Sequence, residues 1–462
     1  MSGLRDVVFI AIWLGLIPAS LIHPWVGILA WYWIAFMAPH GLTWGFSRTL
    51  PVALAIGGAT LVGWLFTTDK KPIPRTVPVI GLLLLAIHFT VTTVLAHNPT
   101  DAWGKWDWVT KVLLMTFVTM SFFQDRARLR WLYLVTALSL GFYGLKGGIW
   151  VLRTGGGEKV YGPDMSSFGD NNTLGLALCM ILPLLLYLSR EEPRRWLKTL
   201  LRTTFFFTII AIIFTYSRGA FLGLAVVLAI LIWRSPWRMR FAMTLLVATL
   251  VALPFIPSQL SERIGSISEQ ESTATADGSV KGRYEAWQTA WNIALDRPLT
   301  GAGFRALWNE AIWLRYYGDN FAAVRDVHSL YFELLEEHGF LGFGLYFVVL
   351  VSTLVTLRRL RKRWRGHPDH GYISNYAEMT QLCLYPFLVA GAFIGVAYFD
   401  LYFFFIAASV MLRALSDQAE AALAPAPAPA SARGTALAPA RRPTMPVRSP
   451  RRPVPSSRNR HA

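Results

Sequence analysis

The chain has 462 residues, of which 54% are apolar, 14% aromatic and only 15% charged, with a formal net charge of +17. So little charge, with a positive mean hydropathy, excludes an ordinary soluble enzyme and places the sequence among polytopic membrane proteins. The basic residues do not point to nucleic acid: Lys70, Lys71 and Arg75, Arg126 to Arg130, Arg190 to Arg202, Arg234 to Arg240 and Arg358 to Arg365 flank apolar runs and follow every second one, as cytoplasmic connections do.

In chain order, Arg5 precedes an apolar run with no small-residue cleavage site, so the first span is expected to be retained. Residues 7–39 read either as two short spans broken at His23-Pro24 or as one crossing plus an interfacial piece. With the N-terminus on the side of the basic connections, 7–67 must hold two crossings, and the second reading is favoured. Further runs cover 50–67, 78–96, 108–123, 130–150, 172–189, 201–216, 219–233, 239–256, 339–357 and 380–414, the last divided at Asp400. They are solid stretches of Leu, Ile, Val, Ala and Phe, which excludes the short alternating segments of a barrel. The expectation is an all-α polytopic membrane bundle of about twelve transmembrane helices. Its segments are transmembrane helices over 1–256, a large external loop over 257–338, C-terminal spans over 339–416 and a disordered tail over 417–462. From Ala421 the tail is Ala-Pro and then Arg-Pro-Ser sequence with eight arginines and no acid, unable to bury a core and able to touch anionic membrane lipid or simply stay solvated. Cys179 and Cys383 lie within apolar runs and read as packing residues.

Three connections fall on the side opposite the basic loops: 151–171, the turn at Tyr216-Ser217-Arg218-Gly219, and 257–327. The last carries seven basic and nine acidic residues, a balance that suits an external loop and makes its arginines ligand-binding candidates. Arg218 sits between two apolar runs, where a cation requires either snorkelling or an anionic partner. Gly282-Arg283 opens a helix whose Tyr284, Trp287, Trp291 and Ala294 or Leu295 recur at helical spacing, an amphipathic stretch suited to the membrane interface. Arg297-Pro298 ends it, and Gly301-Ala302-Gly303 makes a flexible turn that reads as structural, lacking the strand and third glycine of a dinucleotide fingerprint. Arg283 at that helix start either grips a phosphate in bidentate fashion or pairs with Glu285 or another loop acid. His328 precedes the run through Glu336-Glu337-His338-Gly339 and is either structural or a proton acceptor at the mouth of a span. Phosphate-binding Gly-Lys loops, His-Glu-x-x-His and Gly-x-Ser-x-Gly are absent from the sequence, so an energy-requiring reaction must draw on an activated substrate. No cofactor is expected. No acidic pair stands out as a metal site, although Asp164 and Asp170 keep one open.

These residues resemble the bacterial O-antigen ligase superfamily, which includes O-antigen polymerases and protein O-oligosaccharyltransferases. The resemblance rests on Thr215-Tyr216-Ser217-Arg218-Gly219, Gly282-Arg283 with Trp287, Pro298-Leu299-Thr300-Gly301-Ala302-Gly303, and His328-Ser329 followed by Glu337-His338-Gly339. A looser match is Gly169-Asp170-Asn171-Asn172, where Asn171 replaces a proline. The resemblance implies a GT-C-like fold in the bacterial inner membrane and metal-independent, inverting transfer of a glycan from undecaprenyl diphosphate to an acceptor on the periplasmic face. Arg218 and Arg283 would bind the diphosphate and His328 would assist the acceptor hydroxyl, with Asp170, Asn172 and Ser217 as further substrate contacts. Lipid A core is the favoured acceptor; a second carrier-linked glycan or a protein hydroxyl are the alternatives within the superfamily. A transporter or flippase for an anionic lipid is the alternative outside it.

Overall fold

The computed structural model describes residues 2–164, 166–234 and 274–424, with 239 and 243; the expected span at 239–256, the loop segment 257–273 and the tail beyond 424 lie outside the described residues. Every regular element among the described residues is helical. The described residues up to 419 form one compact unit. The helices are α1 (Ser2–Ile22), α2 (Pro24–Met37), α3 (Val52–Phe66), α4 (Val77–Val94), α5 (Pro99–Met120), α6 (Arg126–Thr154), α7 (Asn171–Glu191), α8 (Arg195–Ile213), α9 (Arg218–Arg234), α10 (Ala274–Asp296), α11 (Glu310–Tyr316), α12 (Leu330–Arg363), α13 (Gly371–Ala390) and α14 (Asp400–Leu423). Six of them, α1, α4, α6, α7, α8 and α12, are long and apolar enough to cross a membrane, and α2 and α3 are shorter apolar helices. The chain is a multi-pass helical membrane protein. Asp400 begins α14, so the run at 380–414 is divided where its one acid falls.

Close contacts between small residues hold the bundle. On α6, a methyl at Gly144 would stand 2.1 Å from the Thr208 hydroxyl and one at Gly148 2.4 Å from the Phe207 carbonyl of α8, so α6 and α8 touch backbone to backbone, the usual solution where lipid offers no hydrophobic drive for association. α7 is the central helix, and its residues from Thr173 to Leu185 are all buried.

The basic connections meet at one end of the bundle. Arg128 pairs with Asp69 at 2.7 Å, Arg130 with Glu192, and Arg234 and Arg361 both reach Glu378, at 2.6 and 3.6 Å. The opposite end gathers 38–51, 155–170, 214–218, 391–399 and the loop residues 282–330. That loop has its own small core of Ala286, Ala290, Ile293, Ile312, Trp313 and Val327.

The N-terminal region departs from expectation. α1, α2 and α3 lie side by side, and Asp6 of α1 accepts hydrogen bonds from the Ser47 hydroxyl at 2.6 Å and its N–H at 3.2 Å. Arg48 pairs with Asp164. The N-terminus therefore belongs to the end away from the basic connections, and residues 7–39 form two antiparallel helices rather than one crossing and an interfacial piece. Arg5 is not part of the basic clusters, since its guanidinium reaches the Leu42 carbonyl at 3.5 Å, and Pro24, as the first residue of α2, reverses the chain without needing a polar loop.

Candidate active site

The turn between α8 and α9 is built to present one side chain. Tyr216 adopts a left-handed backbone with φ 54° and its hydroxyl donates to the Gly156 carbonyl at 2.5 Å. The Asn171 amide donates to the Thr215 carbonyl at 2.8 Å. Ser217 is buried and caps α9, its hydroxyl accepting from the Ala220 N–H at 3.3 Å. Arg218 follows as the first residue of α9 and is exposed. A helix N-terminus disfavours a cation and favours an anion, so Arg218 and the α9 dipole together hold a concentrated positive potential.

α10 supplies the second guanidinium. The Trp287 indole N–H donates to the Val327 carbonyl at 2.9 Å and its ring stacks on Phe332 at 5.1 Å. Arg283 lies one turn earlier on the same face, which directs it toward the segment ending at His328. Gly282 allows Arg325 of that segment to lie against the helix: a methyl at 282 would stand 1.6 Å from the Arg325 Nη1. Glu285 does not neutralise Arg283. Its carboxylate accepts from the Ala322 N–H at 3.3 Å and approaches Lys281 at 4.0 Å. Burial, and then the charge of Arg218, push the Arg283 guanidinium below its ordinary pKa; the two cations feel one another. The rest of the amphipathic stripe, Tyr284, Trp291 and Leu295, is exposed, a face suited to lipid headgroups.

His328 is exposed and takes a left-handed backbone, φ 46°, immediately before α12. Two residues on, the Leu330 N–H donates to the Ile394 carbonyl at 3.0 Å. A methyl at Gly219 would stand 3.3 Å from the Ile394 Cδ1, so the start of α9 and the His328 segment abut the same residue. The fold thus brings the Arg218 turn, the Arg283 turn and His328 to one end of the bundle. Asp170 and Asn172 border this region through Asn171, with Asp170 capping α7 by accepting from the N–H groups of Asn172 at 2.8 Å and Thr173 at 3.1 Å and Asn172 exposed in the first turn.

Beside these residues lies a polar cavity of about 390 Å³, lined by Lys105, Ser166, Ser167, Arg305, Glu333 and Tyr398 among others. The Lys105 ammonium stands 4.3 Å from the Trp108 ring centre and 5.1 Å from that of Tyr398. The Arg305 N–H donates to Glu337 at 2.6 Å, and Tyr398 bonds both Glu337 and His338. His338 is fully buried, stacked on Phe89 at 4.3 Å and bonded to Thr92 at 2.7 Å. Its part is to tie α12 to α4. The helix break at Gly339, φ 64° and ψ −171°, is clasped by the glycine turn, whose Ala302 and Gly303 N–H groups donate to the Glu336 and Glu337 carbonyls at 2.7 and 3.0 Å. That turn is therefore a fixed clasp rather than a flexible joint. Among the described residues no group of three or more His, Cys, Asp or Glu is placed to hold a metal.

Residues 203–347, which contain Arg218, Arg283 and His328, match the family model described as O-Antigen ligase. That match supports the O-antigen ligase/polymerase superfamily for this region of the chain. Residues 4–193 match a family of unknown function (DUF5935), and no curated protein matches the chain. Superfamily members are membrane glycosyltransferase-like enzymes, which supports a transferase role here. The polar cavity draws on both matched regions: Lys105, Ser166 and Thr173 come from the first, Arg305 and Glu333 from the superfamily region. Sequence reasoning does not select Lys105, and it reaches Arg305 and Arg325 only as two of the seven basic residues of the external loop. The one available signal is the spacing of Glu333, Glu336 and Glu337, acids on consecutive turns of a span that becomes apolar after Gly339.

Proposed function

We propose that this protein is an O-antigen ligase, transferring a finished glycan from undecaprenyl diphosphate to the lipid A core at the periplasmic face of the bacterial inner membrane. The observation that supports the reading is that the Arg218 turn, Arg283 and the His328 segment lie at one end of the bundle, with the charge of Arg218 acting on Arg283. Two guanidinium groups on separate elements repel one another; a diphosphate between them satisfies both. Its leaving oxygens gain charge as the glycosidic bond breaks, so fixed cations bind the transition state more tightly than the ground state.

In the transfer, the acceptor hydroxyl oxygen attacks the anomeric carbon from the face opposite the diphosphate. The bond from that carbon to the phosphate oxygen breaks with its electron pair, and configuration inverts. His328 takes the hydroxyl proton as attack proceeds, an imidazole being suited to that exchange near neutral pH, and its exposure lets the proton pass on to water. The chemistry asks no metal or nucleotide of the chain. Ser217 and Asp170 serve by holding the α9 and α7 starts, and Asn172, exposed in the first turn of α7, meets the donor.

The test is purified protein in detergent with carrier-linked glycan and lipid A core, followed by mapping of the product. Transfer without added nucleotide, abolished in His328→Ala with donor binding retained, is the expected result. Turnover by that variant at the wild-type rate would remove His328 from the reaction. Product formed only on a second carrier-linked glycan would make the protein a polymerase, only on a protein hydroxyl an oligosaccharyltransferase, and donor translocation with no product a transporter.

A further inference from the structure

A second cavity opens at the same end of the bundle, outside the superfamily region. It measures about 450 Å³ and is walled by the α1 start, the 38–51 connection, the last turns of α6 and residues 158–164. Four cations, Arg5, Arg48, Lys146 and Lys159, face it against two carboxylates, Glu158 and Asp164. Arg48 engages Asp164 at 3.5 Å; Lys146 and Lys159 form no ion pair among the described residues. Trp44 and Tyr161 also line the cavity and are 70% and 57% exposed. Amphipathic rings with snorkelling cations mark the headgroup level of a bilayer.

Directly along the same helices runs an apolar groove of about 600 Å³ between α1, α2, α6 and α8, lined by side chains such as Ile12, Leu16, Leu29, Leu138 and Leu200. The two cavities adjoin on α6, where Leu145 lines the groove and Lys146 the basic cleft. A hydrocarbon slot topped by a cluster of cations fits one kind of occupant, a lipid with phosphate on its headgroup. The location selects among such lipids. The wall formed by 158–164 is fixed to the Arg218 turn through the Val160 N–H to the Phe214 carbonyl at 2.9 Å and, just upstream, through Tyr216 to Gly156.

We propose that this cleft and groove dock the acceptor lipid of the transfer reaction, gripping its headgroup phosphates with Arg5, Arg48, Lys146 and Lys159 and one acyl chain between α1, α2, α6 and α8. The assignment of the lipid as acceptor rests on the transfer reading above. It gives the stretch matching a family of unknown function a role in acceptor recognition, beside donor recognition by the superfamily region.

The experiment compares full-length wild type with Lys146→Gln/Lys159→Gln, two changes that leave every observed ion pair intact. Binding is measured to bisphosphorylated lipid A, to the same lipid after phosphatase treatment, and to phosphatidylglycerol. The expected result is binding to lipid A that weakens roughly tenfold on dephosphorylation and roughly tenfold in the double variant. In the transfer assay the acceptor KM should rise by a similar factor while kcat and donor affinity hold. A groove-filling change, Leu138→Trp, should weaken lipid A binding without altering donor affinity. Equal binding of phosphorylated and dephosphorylated lipid A overturns the proposal, as does phosphatidylglycerol binding as tightly as lipid A, which would make the cleft a general phospholipid site. Wild-type transfer that the double variant leaves unchanged overturns the cleft but not the transfer reading. No wild-type transfer to any acceptor overturns the transfer reading and the acceptor assignment with it, while the dephosphorylation comparison still decides whether a phosphorylated lipid binds there.

Discussion

Arg218 and Arg283 come from elements far apart in sequence, yet the charge of the first lowers the pKa of the second. Like charges on two separate elements repel, and an anion bound between them would lower that repulsion. Arg283→Ala and Arg218→Ala are each expected to lower kcat/KM by about 10²-fold or more and to abolish the thermal stabilisation that a diphosphate-bearing donor gives the wild type. Arg283→Lys keeps the charge but loses the two-pronged geometry and should fall between Arg283→Ala and the wild type. Unchanged donor-induced stabilisation in either alanine variant would remove that residue from the site.

Trp287 positions the His328 segment. Trp287→Phe keeps an aromatic ring against Phe332 and removes the hydrogen bond to the Val327 carbonyl, a loss of about 1 kcal/mol. Turnover should fall roughly fivefold with donor affinity little changed, because Arg283 stays on an intact helix. A fall in donor affinity with kcat preserved would contradict a role acting through His328.

Gly339 carries a backbone conformation open only to glycine, and a methyl there would stand 2.5 Å from the Pro298 carbonyl oxygen. Gly339→Ala is expected to destabilise the fold by at least about 1–3 kcal/mol, read as a lower melting temperature in detergent. Gly344, further along α12, has open space around it, so Gly344→Ala should be neutral or slightly stabilising. Equal melting temperatures for the two variants would refute the clasp.

His97 gives a pH signature. It lies between α4 and α5, its Nδ1 accepts from Arg297 at 2.5 Å, and burial followed by the charges of Arg297 and Arg315 holds its pKa below the ordinary histidine value. The unfolded chain therefore binds this proton at a higher pH than the native one, so native stability is full above about pH 6.5 and declines as pH falls below it toward the folded pKa. His97→Gln should flatten that decline in a series of thermal melts. An unaltered slope would show that other groups set it.

The two ends of the bundle were legible because topogenic charge is written along the chain: each basic cluster read from the sequence that the structure describes falls at one end, joined through acids such as Asp69, Glu192 and Glu378. Arg218 and His328 were legible because a polar residue on the edge of an apolar run stands out. The N-terminal topology was not. Arg5 resembles any other flanking charge until Asp6 is seen bonded to Ser47, and a 14-residue α2 spans about 21 Å, too short to declare itself a crossing. Glu285 is near Arg283 in sequence, but residues two apart along a helix face different ways, and its side chain turns to the Ala322 backbone instead. The two polar cavities were invisible because Lys105 and Arg305, or Arg5 and Lys146, become neighbours only through the folding of distant helices.

A residue with a β-carbon held at φ 46°, as His328 is, gives up about 1–2 kcal/mol that glycine would recover, so replacing this imidazole by glycine should yield a sturdier protein that no longer joins sugars. On the transfer reading proposed above, thermal resilience and catalytic competence pull against each other at position 328, and a screen that selects variants for durability alone would drift toward an inert scaffold.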